Sequence, residues 1–146
     1  MKTSALLALL ALGLVARAAA AEPPSPDVTT FDHTKVDDAF AKGMPLMINT
    51  RYSVRAGRRV MAGKVELHTN DTDIFYVTEG SATFVTGGTA VNEKPTGPGE
   101  VTADKITGGV EHHLTKGDVI VIPAGIPHWF TEVSGTFLYF VVKVTK

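Results

Sequence analysis

Short runs of β-branched and aromatic residues, separated by polar turns, dominate the chain from Leu46 to its end. Turn signals recur about every eight to twelve residues, which is the spacing of short strands in all-β folds. Helical periodicity is almost absent from this part of the chain. The pattern therefore predicts an all-β sandwich or barrel. The candidate strands are residues 46–50, 52–55, 60–69, 74–78, 82–86, 101–106, 110–114, 119–122 and 136–144.

One short helix is predicted ahead of the strands, over residues 34–42. Thr34 can cap its start, and Gly43 can end it. Three apolar residues spaced i, i+3 and i+4 would face the barrel. These residues are Val36, Ala39 and Phe40.

The connections between strands carry their own signals. Residues 79–81, Glu-Gly-Ser, separate two apolar runs and predict a β-hairpin. Residues 87–99 contain four glycines and two prolines, which predicts a loop. Residues 56–57, Ala-Gly, predict a turn within a group of arginines, and we expect these arginines to form a solvated edge rather than an anion site. The arginines are Arg51, Arg55, Arg58 and Arg59.

The first 21 residues read as a secretory signal peptide, with Lys2 before a 13-residue apolar stretch and three alanines before Glu22. The stretch is short for the alternative, an uncleaved membrane anchor. We therefore expect an exported protein, periplasmic or secreted, without a membrane anchor after cleavage. Residues 22–45 would form a linker and the short helix, and residues 46–146 the β-barrel domain.

Charge and cysteine content narrow the function classes. Removal of residues 1–21 takes away Lys2 and Arg17, so the net charge changes from −1 to −3. A mildly acidic domain lacks the basic surface that nucleic acids require, and we expect no nucleic-acid partner. The chain has no cysteine, which excludes disulfides and thiolate metal ligands.

The segment GDVIVIPAGIPHWFTE, residues 117–132, combines a strand with a rigid turn. Residues 119–122 are all β-branched, and a short apolar run without alternation predicts a strand covered on both faces. Pro123 ends the strand, Gly125 permits a tight turn, and Pro127 stiffens the backbone before His128. The arrangement would hold one imidazole at the end of a buried strand, as a metal ligand or catalytic base requires.

The spacing Gly117-x5-Pro123-x-Gly125-x2-His128 resembles the second motif of the cupins, which are small jelly-roll β-barrels. The family motif usually ends in asparagine, where this chain has Glu132. The resemblance implies a cupin-like jelly-roll β-barrel with a short N-terminal helix. It also implies a homodimer, because many cupins pair through strand edges.

The first cupin motif has a counterpart in Glu66-x-His68-x4-Asp73-x6-Gly80, with Glu66 in place of a histidine and Asp73 in place of a glutamate. Residues two apart on a strand share a face, so Glu66 and His68 would point the same way. A second register takes His68, Asn70 and Asp73 instead. Whether Glu66 or Asn70 belongs to the site stays open from the sequence.

These residues suit a divalent metal ion: iron, manganese, zinc, nickel or copper. The candidate ligands are His68, Asp73, His128 and Glu66. Glu66 would be a fourth ligand or a general base, because a carboxylate whose pKa is raised by apolar neighbours can move a proton. In the alternative interpretation, Glu66, His68 and Asp73 are solvated polar residues near a turn.

The ligand or substrate is expected to be a small organic molecule in the barrel. Its pocket wall would consist of Phe75, Phe84, Phe130 and Tyr139. Cupins with metal sites include dioxygenases, isomerases, decarboxylases and lyases, and the resemblance does not choose among them. The alternative is a non-catalytic module that binds a small ligand without metal. His33, His112 and His113 are expected to face solvent.

Overall fold

The structure of the protein is a computed structural model that describes residues 22–146. The predicted signal peptide, residues 1–21, lies outside the described residues and stays a prediction. Within the described part, no helix is long and apolar enough to cross a membrane. Helix α1 spans His33–Lys42. The strands are β1 (Pro45–Ile48), β2 (Tyr52–Arg59), β3 (Val65–His68), β4 (Asp71–Thr86), β5 (Thr89–Val91), β6 (Lys94–Gly97), β7 (Glu100–Ala103), β8 (Lys105–Thr107), β9 (Val110–Thr115), β10 (Val119–Ile122) and β11 (His128–Thr145).

Two long antiparallel strands, β4 and β11, connect all the larger elements. They pair with each other from Asp71↔Thr145 to Thr86↔His128. On its other edge, β4 pairs with β10 along its first half and with β9 along its second half. On its other edge, β11 pairs with β3 at His128 and with β2 along its second half. Each long strand therefore belongs to two layers of the fold.

The layers face each other across an aromatic core. One consists of β1, β2, the end of β11, the start of β4 and β10, and the other of β6, β7, β3, the start of β11, the end of β4 and β9. Phe75 from the first layer lies 5.7 Å from Phe84 and 6.1 Å from Phe130 in the second, measured between ring centroids. This is the predicted jelly-roll barrel, and the all-β class is confirmed.

The helix forms where it was predicted, but a different residue caps its start. Asp32 accepts a hydrogen bond from the Lys35 backbone N–H at 2.8 Å and is the N-cap in place of Thr34. Gly43 ends the helix with φ +64°, as predicted. The ring of Phe40 packs 4.9 Å from the ring of Phe140 on the outside of β11.

The predicted hairpin at residues 79–81 is wrong, because β4 continues through Gly80 and pairs with β11 on both sides of it. Gly80 has φ +78°, and the backbone of Thr136 lies so close that a side chain would clash with it. The glycine therefore serves a bend within one strand rather than a reversal. The predicted turn at residues 56–57 is wrong as well, since β2 runs through it.

Other strands differ from their predictions in length and burial. β10 is covered on one face only, because Val119 and Val121 are 62% and 56% exposed while Ile122 is buried. Residues 87–99 contain the short strands β5 and β6 rather than loop alone. Most of the predicted strand 60–69 is absent, and β3 occupies only its last part. The sequence pattern therefore overestimated the burial of residues 119–122 and the length of the strand at residues 60–69, and it missed two short strands in a segment rich in glycine.

We expect Gly57→Ala to destabilise the protein by about 1–3 kcal/mol, because a Cβ there would lie 2.6 Å from the Tyr139 ring. Gly97→Ala is the matched control, since its Cβ would meet nothing closer than 3.8 Å, and we expect a change within about 0.5 kcal/mol. Urea unfolding of both variants measures the difference. Equal free energies of unfolding would contradict the close packing of Tyr139 on β2.

Candidate functional site

The sequence-predicted polar residues converge between the two layers. His128 at the start of β11 pairs directly with Glu66 on β3, and His68 lies two residues further along the same face of β3. Asp73 reaches the same space from β4 in the opposite layer. His68, Asp73 and His128 are all at most 5% exposed. The candidates that are far apart in sequence thus form one buried cluster.

The turn before His128 is fixed by backbone hydrogen bonds. Gly125, with φ +84°, donates its N–H to the carbonyl of His68 at 2.7 Å. Ile126 donates its N–H to the carbonyl of Pro123 at 3.2 Å. The turn is therefore attached to β3, and it sets His128 beside His68 as the Pro-Gly-Pro pattern predicts.

The two imidazoles present the same nitrogen to a shared space. His128 Nδ1–H donates to the Ile126 carbonyl at 3.1 Å, and His68 Nδ1–H donates to the Glu100 carboxylate at 2.7 Å. Since a carbonyl or an ionised carboxylate only accepts, a neutral ring keeps its lone pair on Nε2. Both Nε2 atoms are buried and have no hydrogen-bond partner among residues 22–146. The ring centroids are 5.1 Å apart.

Glu66 completes a group that could hold a metal ion. Ligand atoms of Glu66, His68 and His128 all lie within 4.8 Å of one another. Glu66 Oε2 is 3.8 Å from His68 Nε2, while its Oε1 accepts a 2.7 Å hydrogen bond from Arg59. Burial raises the pKa of Glu66, but the positive charge of Arg59 and the hydrogen bond that it donates outweigh this and hold the pKa below 4.5.

Asp73 forms an ion pair that the sequence did not predict. Lys143 on β11 contacts both of its carboxylate oxygens, at 2.7 and 2.8 Å. Asp73 Oδ2 lies 3.5 Å from His68 Nε2 and 3.9 Å from His128 Nε2. Asp73 is therefore next to the imidazoles, but its charge is compensated within the protein.

A cavity of about 320 Å³ opens beside this cluster. Three residues of the predicted pocket wall line it: Phe75, Phe130 and Tyr139. Phe84 is fully buried and lies behind the wall, 4.4 Å from the ring of Phe130. Burial raises the pKa of Tyr139, so its hydroxyl is neutral near pH 7 and accepts a 3.1 Å hydrogen bond from Arg59 Nε.

Three important side chains were missed or misjudged from the sequence. Arg59 is no solvated edge residue: its guanidinium lies 4.5 Å above the Phe130 ring and bonds to Glu66. Lys143 and Glu100 carried no motif signal. Only strand alternation could have placed Lys143 inward, because it is two residues after buried Val141.

The remaining sequence candidates lie outside the cluster. Asn70 is exposed, so the register that includes Glu66 agrees with the geometry. His33 and His113 are exposed, as expected. His112 is half-buried instead, and its Nε2 is 2.8 Å from the Thr86 hydroxyl.

Comparison with known proteins gives the family. The cupin family model matches residues 24–146, which is most of the chain. The chain belongs to the cupin family. No curated protein sequence matches it.

Solved structures with the same fold are only distantly related to this cupin. BH2720 from Bacillus halodurans has a TM-score of 0.58 at 14% identity, over 88% of this chain and 87% of that one. Hydroquinone 1,2-dioxygenase PnpCD, in complex with Cd²⁺ and 4-hydroxybenzonitrile, has a TM-score of 0.56 at 14% identity, over 92% and 91%. At such identities the likeness establishes the fold alone.

The buried site makes this cupin sensitive to acid. Burial holds the pKa of His128 below 6.5, outweighing the Ile126 hydrogen bond and the charge of Asp73. Between the lowered pKa and 6.5 the unfolded chain binds more protons, so the free energy of unfolding falls as pH falls. We expect His128→Gln to reduce this slope just below pH 6.5 by up to about 1.4 kcal/mol per pH unit.

Urea unfolding at several pH values, with a chelator present to keep metal out, measures that slope. Glu66 titrates below this window, because its pKa in the folded protein lies under 4.5. His33→Gln, at an exposed position on α1, is the control and should keep the slope of the parent protein. A parent-like slope in His128→Gln would refute a buried neutral imidazole at this position.

Proposed function

We propose that this cupin binds a divalent transition-metal ion through His68, His128 and Glu66, and that the adjoining cavity takes a small organic molecule. The observation that carries the proposal is the pair of buried Nε2 atoms without hydrogen-bond partners among residues 22–146. Leaving two buried acceptors unpaired costs free energy unless something binds there. A metal ion is the partner for which two converging imidazole lone pairs are suited.

The donor set agrees with this class of ion. Two neutral imidazoles and one carboxylate suit iron, manganese, zinc, nickel or copper, and the set leaves positions for water or substrate. Glu100 supports the first imidazole from behind, as carboxylates do for metal-binding histidines in general. The absence of cysteine argues against a closed structural zinc site.

The chemistry that such an ion supplies is Lewis-acid polarisation of a substrate oxygen or, for a redox-active metal, activation of oxygen. The residues of the chain prepare the site for it. His128 stays neutral because burial lowers its pKa, and Glu66 stays ionised because Arg59 lowers its pKa. A general base role for Glu66 required a raised pKa, so the electrostatics favour Glu66 as a ligand.

The cavity supports a small-molecule ligand in its size and lining. A volume of about 320 Å³ lies at the small end of ligand pockets, and aromatic side chains form much of its wall. Tyr139 and Arg59 add polar groups on one side. The dioxygenase PnpCD was solved with Cd²⁺ and an aromatic nitrile, but at 14% identity this similarity does not assign its reaction here.

A second candidate function, a metal-free binding module, is favoured by one specific observation. Both carboxylates of the cluster already have cationic partners inside the protein, Glu66 with Arg59 and Asp73 with Lys143. A site compensated in this way can stay folded without a metal ion. The metal analysis described next separates the two functions.

We expect the purified protein to hold about one metal ion per chain, because the ligands are preformed and buried. His68→Ala and His128→Ala should each lose it, since two remaining ligands bind a divalent ion weakly. Elemental analysis after reconstitution with each of the five candidate metals measures the content. His113→Ala removes an exposed imidazole from β9 and should keep the metal.

Absence of metal from the parent protein after reconstitution would refute the metal proposal and leave the binding module. Metal that persists in both cluster variants but is lost in His113→Ala would place the site elsewhere. Thermal unfolding of each variant shows whether a loss of metal reflects a loss of fold.

We expect Glu100→Gln to weaken metal affinity about 10- to 100-fold, because the carboxylate fixes the Nδ1–H tautomer of His68. Chelator competition measures the affinity, and ¹⁵N NMR of the imidazole reports the tautomer directly. Glu111→Gln, at an exposed position on β9, is the control and should change neither. An unchanged tautomer and affinity in Glu100→Gln would show that His68 is positioned without Glu100.

Export and dimerisation are further parts of the proposal. Export rests on the leader-like pattern of residues 1–21, and the homodimer rests on the family. The three residues of the candidate metal site all belong to one chain.

A further inference from the structure

Arg55 lies on the inner face of β2. It pairs with Val141 of β11, which in turn pairs with Phe75 of β4, and both of these side chains are buried in the core. Directly paired residues of neighbouring strands share a face, so Arg55 is directed toward the barrel interior. It lines the 320 Å³ cavity and is half-buried.

Two of the other cations that line this cavity are already neutralised, and the third, Arg58, is exposed to solvent. Arg59 bonds to Glu66 at 2.7 Å, and Lys143 bonds to Asp73 at 2.7 Å. Arg55 takes part in no ion pair or side-chain hydrogen bond with any residue from 22 to 146. A guanidinium that lines a cavity without an anionic partner can bind the anionic group of a ligand there.

The neighbours of Arg55 define the rest of the ligand. Phe75, Phe130 and Tyr139 line the same cavity and offer an apolar surface. A molecule that contacts both these rings and Arg55 needs an apolar body and one anionic end. The volume of about 320 Å³ limits it to a small molecule.

The acidic residues nearby select a singly charged group. A second cavity, of about 420 Å³, shares Arg55, Glu66 and Lys143 with the first, and Asp71 and Glu100 also line it. These carboxylates would repel a dianionic phosphate more strongly than a singly charged carboxylate. One guanidinium fork, in contrast, matches the two oxygens of one carboxylate.

We propose that the ligand of this cavity is a small organic monocarboxylate, held by Arg55 at its carboxylate and by the aromatic wall at its apolar end. The inference rests on the proposed function, since it names the class of molecule that enters beside the metal site. Arg55 is none of the candidate metal ligands. Carboxylate binding and metal binding can therefore be tested separately.

The probes are benzoate and hexanoate, with benzamide as the neutral analogue of benzoate and phenyl phosphate as the alternative anion. Saturation-transfer NMR titrations give the affinities, with chelator and after metal loading, on protein expressed from the full-length sequence. We expect Arg55→Gln to weaken carboxylate binding at least about tenfold and to leave benzamide unchanged. Arg55→Lys, which keeps the charge but loses the fork, should lie between the two.

Arg51→Gln is the matched control, because it removes the same charge from the exposed connection between β1 and β2. It should leave every affinity unchanged, which excludes a general charge effect. Metal content, measured on the same samples, should be equal in Arg55→Gln and the parent protein.

Three results with the parent protein would overturn the proposal. They are no binding of either carboxylate below about 10 mM, equal affinity of the parent for benzoate and benzamide, and tighter binding of phenyl phosphate than of benzoate. Unchanged benzoate affinity in Arg55→Gln would overturn it as well. Arg55-dependent carboxylate binding in a parent protein that takes up no metal on reconstitution would support this inference while refuting the metal proposal.

Discussion

The pairing of β4 with β11 is the interaction on which the rest of the structure depends. Each strand is long enough to belong to both layers, so their shared ladder fixes how the layers face each other. Asp73 and Lys143 pair at one end of that ladder, and His128 starts the other end. The site is assembled because two strands bend together, with Gly80 accommodating the close approach of Thr136.

The barrel can bury a polar cluster because its charges are paired. Four ionised groups form two pairs, one on each side of the imidazoles. Removal of Lys143 would leave the buried carboxylate of Asp73 unpaired, at a cost of about 3–5 kcal/mol. Breaking the Arg59–Glu66 pair would cost less, because its side chains are 22% and 38% exposed and solvent screens them. Arg59 has further support from the Tyr139 hydroxyl and the Phe130 ring. The same side chains therefore stabilise the fold and define the electrostatics of the site.

Local pattern predicted the fold and the histidines well, because their signals are local. Gly125 and the prolines around it dictate a turn wherever they occur, and the turn positions His128 as expected. The inward cations could not be predicted in this way, since Lys143 meets Asp73 across 70 residues of sequence. The prediction of a hairpin at Gly80 was wrong for a related reason. A glycine that reverses the chain and a glycine that bends a strand have the same local sequence signal, and only the partner strand distinguishes them.

The cationic partners also decide which predicted ligands remain available. The two carboxylate oxygens of Glu66 have different neighbours: Oε1 bonds to Arg59, and Oε2 lies toward His68. Glu66 can therefore bind a metal ion through Oε2 without losing its ion pair. Asp73 differs, because Lys143 contacts both of its oxygens. A metal ion would have to displace the ammonium group of Lys143 to reach Asp73. The two imidazole lone pairs and the Oε2 atom of Glu66, in contrast, already face one shared space. Of the four residues that match the cupin motif, three could hold a metal ion, and Asp73 is the counter-ion of Lys143.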